Sequence, residues 1–377
     1  MEPVLRISGR GVFSLTVTGL SSGQAAAVRD AIAESKNGTG LELAPFFSSS
    51  QSVSELVLSG TTDRIKHLSR IISGVGGYPA ELSKKIDSLL DNYTRSDYKI
   101  ECRGKVLDLG SRTHIMGILN VTPDSFSDGG LFSDEEKAIS HARDMATAGA
   151  DIIDIGGEST RPGAEPLAEE EELRRIIPLI ERLSKELTVP ISVDTYKASV
   201  AKKALEAGAS IVNDISGLRF SPDMAEVVAE HGAAVVIMHI KGTPRNMQQN
   251  PVYDDLIGEI IAYLGEGIAI AGRAGVDRER TLIDPGIGFG KTLEHNLTIL
   301  NRLDEFRALG RPIVLGTSRK KFIGTVLDIP APEKRVEGTA STAAIGVDRG
   351  ASIMRVHDVA RVAQAVRMAD AIVKTKQ

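Results

Sequence analysis

Eight polar clusters recur along the later two-thirds of this 377-residue chain, each directly after a short apolar run. In order they are Asn120; Glu158-Ser-Thr-Arg161; Asp194; Asn213 with Asp214; His239; Asp284; Ser318-Arg-Lys320; and Arg355 with His357. Asp194, Asn213 and Asp284 offer acceptors and an amide, which suits a heterocycle presenting several ring N–H and amino groups. Asn120, Arg161, Arg355 and His357 offer donors and positive charge, which suits phosphate oxygens. One such residue alone is as readily a solvated loop entry. Eight in succession require a common polar ligand.

One glycine-rich stretch, 284–292, bears on two nucleotide-binding motifs. Asp284-Pro-Gly-Ile-Gly-Phe-Gly-Lys-Thr292 ends like a phosphate-binding P-loop, but the first required glycine falls at Pro285, so the spacing fails. Nor does it form the Gly-x-Gly-x-x-Gly fingerprint of a dinucleotide fold. These glycines instead suit a tight strand-to-helix loop whose backbone approaches a ligand.

The elements that must position these residues follow from hydrophobic patterning. Apolar runs at 114–120, 151–158, 191–195, 210–216, 234–239, 281–285, 313–318 and 352–358 alternate with longer helical patterns, predicting βαβ units and a parallel sheet. Eight such units over residues 113–377 predict an α/β fold, a (β/α)8 TIM barrel, with chemistry at the C-terminal strand ends. After the first strand, Ser133 and Glu136 fit a capping box, Ala138, Ile139, Ala142 and Met145 form an apolar stripe, and Gly149 marks the stop. The acidic run 169–172 reads as a solvated helix end.

Earlier residues read differently. Strand patterns at 13–18 and 53–59 and helical patterns at 24–34 and 63–72 predict a small N-terminal α+β domain over residues 1–77. The glycine-rich stretch 73–77 reads as a linker. Residues 78–112 then read as a helix with Leu82, Ile86, Leu89, Leu90 and Tyr93 on one face, followed by a hairpin from 98–102 and 105–109 that would close the N-terminal mouth of the barrel.

Bulk properties narrow the function. A hydrophobic share of 42% with 25% charged residues describes a globular chain, and a net charge of −5 argues against a broad nucleic-acid surface. The lone cysteine, Cys102, cannot form an internal disulfide, the first residues lack the apolar core of a secretory signal, and no run is long enough to span a bilayer. A cytoplasmic address is expected. The scattered histidines lack zinc-site spacing.

Met116-Gly-Ile-Leu-Asn-Val-Thr-Pro-Asp-Ser-Phe-Ser-Asp-Gly129, Asp154-Ile-Gly-Gly-Glu-Ser-Thr-Arg-Pro-Gly163, Ser192-Val-Asp-Thr195, Asn213-Asp-Ile-Ser-Gly217, Asp284-Pro-Gly-Ile-Gly-Phe-Gly-Lys291, Ser318-Arg-Lys320 and Arg355-Val-His-Asp358 together resemble the dihydropteroate synthases, in that family's order. The resemblance covers the whole barrel. It implies condensation of 6-hydroxymethyl-7,8-dihydropterin diphosphate with para-aminobenzoate, giving 7,8-dihydropteroate and pyrophosphate. It further implies that Asp194, Asn213, Asp284 and Lys320 hold the pterin, with Met238 and Arg355 against its ring. Asn120, Arg355 and His357 would hold the diphosphate, with Mg²⁺ reaching Asn120. Thr160, Arg161, Pro162, Phe289 and Lys320 would frame the aminobenzoate, and the loops 122–130 and 159–163 would close over the site. A homodimer is also implied.

The expected chemistry is a dissociative displacement, with Asp194 and Asp284 stabilising a cationic ring while Mg²⁺, Arg355 and His357 stabilise departing pyrophosphate. Lys321 departs from relatives that carry a small hydroxyl residue there, so a hydroxyl contact to the aminobenzoate carboxylate does not transfer. The alternatives are a pterin-binding methyltransferase using methyltetrahydrofolate with a corrinoid partner, and a non-catalytic pterin-binding protein. For residues 1–77 an accessory structural or oligomer-forming role is expected.

Overall fold

The computed structural model describes residues 4–10, 12–35, 54–74, 77–121, 131–161 and 163–375. Two compact units emerge from its packing, one containing the chain to Arg95 with Asp304–Gly310, the other the remainder.

In the first unit, strands β1 (Val4–Arg10), β2 (Val12–Leu20) and β3 (Ser54–Gly60) form an antiparallel sheet with β2 central. Helices α1 (Ser22–Ser35), α2 (Thr62–Gly74) and α3 (Gly77–Thr94) complete it. Period-2 alternation buries Leu15 and Val17 of β2 beside Ile7 of β1, and helical spacing adds Ile65, Leu68 and Ile72 of α2. Leu82, Ile86, Leu90 and Tyr93 of α3 enter the same core, and the Tyr93 hydroxyl donates to Asp304 Oδ2 at 2.7 Å. The helix beginning near residue 78 is therefore part of this unit's core, not a connector outside it. Strand β1 was not expected, and the glycine-rich stretch proves to be mostly helix, since Ser73 and Gly74 finish α2 and Gly77 opens α3.

The second unit begins with a hairpin of β4 (Lys99–Cys102) and β5 (Lys105–Asp108). Arg103 and Gly104 between them both take positive φ, 50° and 89°, the two-residue turn that matches strand twist. Eight parallel strands then close into a barrel in chain order. They are β6 (His114–Asn120), β7 (Ile152–Gly156), β8 (Ile191–Asp194), β9 (Ile211–Asp214), β10 (Ala234–Met238), β11 (Thr281–Asp284), β12 (Ile313–Leu315) and β13 (Ala351–Val356). The accompanying helices are α4 (Leu131–Thr147), α5 (Glu169–Glu186), α6 (Ala198–Ala207), α7 (Met224–Glu230), α8 (Leu256–Arg273), α9 (Leu293–Asn301), α10 (Lys321–Leu327), α11 (Val336–Asp348) and α12 (Val359–Lys374). Residue 133 falls inside α4 rather than before it, and its side chain lies outside the described residues, as does the loop 122–130. Among the described residues, no helix is long and apolar enough to cross a membrane.

One apolar cluster fixes the polarity of the barrel. Tyr98, Ile100, Cys102, Leu107 and Leu109 of the hairpin region pack with Met116, Ile152, Ile211, Val236, Leu282, Val314 and Ile353, residues near the strand starts. The hairpin thus fills the N-terminal mouth. Because side chains alternate along a strand, the residues two or four positions further on face the same interior: Asn120, Asp154, Asp194, Asn213, Met238, Asp284, Gly316 and Arg355. Apolar layers below and a polar layer above follow from strand register alone. Ile100 is 1% exposed within the plug, so Ile100→Ala is expected to lower the unfolding free energy by about 2–5 kcal/mol. Urea titration followed by circular dichroism checks this.

Candidate active site

At the centre of the polar layer, Arg355 is held between two carboxylates. Its Nε donates to Asp154 Oδ2 and its Nη2 to Asp194 Oδ2, each at 2.6 Å. Asn213 Nδ2 donates to the same Asp154 Oδ2 at 3.1 Å. Asp154 is 0% exposed. The Oδ1 atoms of both Asp154 and Asp194 are buried without a protein partner, so each retains acceptor capacity.

Glycine makes room for this packing. A Cβ on Gly156 would lie 3.7 Å from Asp194 Oδ2 and 3.8 Å from Asn120 Oδ1, so these two groups flank one gap. Similarly, a Cβ on Gly316 would lie 3.9 Å from both Arg355 Cβ and Lys320 Nζ. Lys320 reaches across to donate to the Ile287 carbonyl, and its ammonium sits 4.8 Å from the centre of the Phe289 ring.

Asp284 is supported by its own loop. Gly286 N–H donates to Asp284 Oδ1 at 2.6 Å, and Gly286, Gly288 and Gly290 all take positive φ. A Cβ on Gly286 would meet the His239 carbonyl oxygen at 1.8 Å, which explains why glycine is needed there. Under the loop, buried Lys291 places Nζ 2.9 Å from His239 Nδ1 and donates to the Phe289 carbonyl at 3.0 Å. Met238 belongs to an apolar group with Ile215, Ile240 and Met247, against which Tyr196 and Phe289 pack.

Burial sets the charge states. It pushes the Asp194 carboxyl up to about 7, with Arg355 pulling the other way. Burial also raises Asp284, opposed chiefly by Lys320, and lowers Lys320 to about 8, opposed chiefly by Asp284. Lys291 is pushed well down by burial. His239 falls to about 2 through burial and then Lys291, and His357 to about 3 through burial and then Arg355. His357 is consequently a neutral hydrogen-bonding group here, not the positive charge anticipated from sequence; its Nδ1 is 3.0 Å from Ser318 Oγ.

Other anticipated residues separate by role. Asp214 accepts from Ser216 N–H and Leu218 N–H at 2.7 and 2.8 Å, so its carboxylate caps its own loop. Arg319 forms a two-point ion pair with Asp358, away from ligand duty. Glu158 accepts from Tyr196 and Lys197 at 2.7 and 2.5 Å. Thr160 is half-buried and Arg161 exposed on the loop after β7, Pro162 lies outside the described residues, and Lys321 is exposed at the start of α10. The sequence reading missed Asp154 and Lys291 as individual residues, although both lay inside quoted motifs. Strand register was the available signal, since Asp154 follows inward-facing Ile152 by two.

Replacing Asp154 by Ala would leave buried Arg355 and Asn213 short of an acceptor. The expected loss of stability is about 3–5 kcal/mol, read from the denaturant midpoint. An unchanged midpoint would show that Arg355 does not depend on this carboxylate.

A family model described as "Pterin binding enzyme" matches residues 116–357. The dihydropteroate synthase of Bacillus subtilis is 53% identical over 273 residues, covering 72% of this chain and 93% of that protein. A probable bifunctional folylpolyglutamate synthase/dihydropteroate synthase of Haloferax volcanii is 41% identical over 326 residues, covering 84% of this chain and 38% of its own. Among solved structures, Xanthomonas albilineans dihydropteroate synthase with 4-aminobenzoic acid superposes with a TM-score of 0.69 at 44% identity, covering 74% of this chain and 98% of the other.

Proposed function

Because the chain belongs to the pterin-binding enzyme family, among the dihydropteroate synthases of folate biosynthesis, we propose how its barrel mouth joins 6-hydroxymethyl-7,8-dihydropterin diphosphate to para-aminobenzoate. The enzyme is a transferase, and the methyltransferase and non-catalytic alternatives are set aside by its relatives. The observation that carries the residue assignment is Arg355 clamped between Asp154 and Asp194, with acceptor atoms of both acids left over.

In this reading, Asp194, Asn213, Asp284 and Lys320 bind the pterin edge, and Met238 and the Arg355 guanidinium cover its ring. Donors on the heterocycle meet the carboxylate acceptors. Asn120, Arg355 and His357 take the diphosphate; His357, being neutral, donates a hydrogen bond while Arg355 supplies the charge. Phe289 and the Lys320 stem form one wall for the aminobenzoate, and Thr160, Arg161 and Pro162 form the other. The bond from the methylene carbon to the diphosphate oxygen breaks first, its electron pair leaving with pyrophosphate. The remaining cation is shared with the electron-rich ring and stabilised by ionised Asp194 and Asp284. The amine lone pair then forms the new C–N bond, and its proton passes to water. An aryl amine is already unprotonated at neutral pH, so the neutral, buried His239 and His357 are not required as bases.

Among the described residues, no group of three His, Cys, Asp or Glu side chains could hold a metal. That donor set fits Mg²⁺ only as a companion of the substrate, because this ion keeps several waters and binds largely through phosphates. Asn120 would be its protein ligand, and its chemistry when bound is to neutralise charge on the leaving pyrophosphate. A homodimer and a cytoplasmic location complete the proposal.

Purified protein incubated with the pterin diphosphate, Mg²⁺ and para-aminobenzoate is expected to release pyrophosphate only when the amine is present. Release without dependence on the amine would contradict the reading. Below about pH 7 Asp194 becomes protonated and cannot stabilise a cation, and above about pH 8 Lys320 loses its charge. The kcat/KM for the pterin diphosphate should accordingly follow a narrow bell with limbs near those values. Asp194→Asn should erase the ascending limb and lower kcat/KM by roughly 100-fold, the scale of one lost preorganised electrostatic group.

A further inference from the structure

The loop 159–168 between β7 and α5 carries Thr160, Arg161 and Pro162, and both of its ends converge on one side chain outside it. Lys197 Nζ donates to Glu158 Oε2 at 2.5 Å, immediately before the loop, and to the Leu167 carbonyl at 2.6 Å, near its end. It also donates to Glu172 Oε2 at 2.6 Å, in the first turn of α5. An ammonium group has three hydrogens, and these bonds use all of them. The cluster is buried, with side-chain exposures of 13% for Lys197, 7% for Glu158 and 1% for Glu172. Tyr196 adds a bond from its hydroxyl to the other Glu158 oxygen at 2.7 Å, while its ring meets Phe220 edge-on and packs against the apolar group of Ile215, Met238, Ile240 and Met247. The loop's tip has a lighter tie, Gly163 N–H to the Pro244 carbonyl at 3.1 Å.

We propose that Lys197 is a positioning residue for the second substrate: it clamps both feet of the 159–167 segment beside the end of β8 and so sets where Thr160 and Arg161 meet para-aminobenzoate. This inference rests on the reading that the loop frames the aminobenzoate. The pterin contacts do not depend on the clamp, because Asp154, Asp194, Asn213 and Asp284 are oriented by strand register, Arg355 and the Gly286 N–H. Lys197 should therefore act on one substrate and spare the other. Arginine keeps the charge but not the geometry, since a planar fork cannot aim at three acceptors arranged around a tetrahedral nitrogen. Removing the charge outright would strand two buried carboxylates, so Lys197→Met alone is expected to fold poorly. Combining it with Glu172→Gln removes one of those charges.

The experiment measures both KM values and kcat for the full-length wild type, Lys197→Arg, the double variant Lys197→Met with Glu172→Gln, and Arg161→Ala, together with hydrogen–deuterium exchange of peptides spanning 158–168. Lys197→Arg is expected to raise the aminobenzoate KM about tenfold, the scale of a lost hydrogen bond to a charged group, and to leave the pterin diphosphate KM within about twofold. Exchange in 158–168 should quicken while that of the β8 peptide stays unchanged, and the double variant should follow the same pattern. If both folded Lys197 variants keep the wild-type aminobenzoate KM while Arg161→Ala raises it, the clamp is refuted and the loop's role stands. Should Arg161→Ala also leave that KM unchanged, the loop reading itself fails and the positioning role falls with it. Equal increases in both KM values would mark Lys197 as merely structural and overturn the proposal.

Discussion

Everything at the barrel mouth depends on one guanidinium holding two buried carboxylates apart. Arg355 binds Asp154 and Asp194 at 2.6 Å each, and without it two acids with little access to water would lose the cation they share. Burying ionised groups costs several kcal/mol apiece unless the geometry is close to ideal. The barrel supplies that geometry through strand register, which points Asp154, Asp194 and Arg355 inward from three different strands. Glycine at 156 and 316 leaves the space that larger side chains would occupy. The arrangement is rigid because its parts belong to the sheet.

The loop 285–290 extends the same logic to irregular backbone. Three glycines with positive φ fold it tightly over the His239 carbonyl, and buried Lys291 ties it down through His239 Nδ1 and the Phe289 carbonyl. Gln248 adds a bond from its side chain to the Gly288 carbonyl at 2.7 Å. Phe289 and the Lys320 contact at the Ile287 carbonyl are thereby fixed in place. Preorganisation of this kind means that a charge developing in the mouth meets dipoles already aimed at it, with no reorganisation needed during reaction.

Most of this was legible from sequence because the signals were local. Strand ends could be placed from apolar runs, and each was followed by a polar residue, so five of the eight inward positions at the top of the barrel, Asn120, Asp194, Asn213, Asp284 and Arg355, could be named from residue type, while Met238 entered only through the family resemblance. Asp154 escaped because it sits within an apolar run, Ile152-Ile153-Asp154-Ile155, where the eye reads a strand interior and not a strand end. Strands β7 to β9 also stop earlier than their apolar runs suggest, and Asp194 and Asn213 form the last registered pair of β8 and β9. The roles of Asp214 and Arg319 could not be separated from those of their neighbours, since whether a carboxylate caps its own loop is a matter of φ and ψ, not of residue type. Near the N-terminus, glycines at 74 and 77 looked like a linker, but the apolar stripe of α3 needed a partner and found it in Ile7, Leu15 and Ile72. The Haloferax relative aligns over more of this chain than the barrel accounts for, so the alignment takes in part of the residues before the barrel.

Charge balance in the mouth argues for the order of bond making and breaking. Asp154, Asp194 and Asp284 face Arg355 and Lys320, so with all five ionised the polar layer carries an excess negative charge. A site of that sign, largely shielded from water, favours a ring that becomes positive and disfavours extra negative charge building up on the methylene carbon. An associative path, in which the amine attacks before the diphosphate has begun to leave, draws less on the acids. With Asp194 and Asp284 in the roles proposed for them, a path that releases pyrophosphate first would place the cation beside these two acids, and their stabilisation would then act on the transition state more than on the bound substrate.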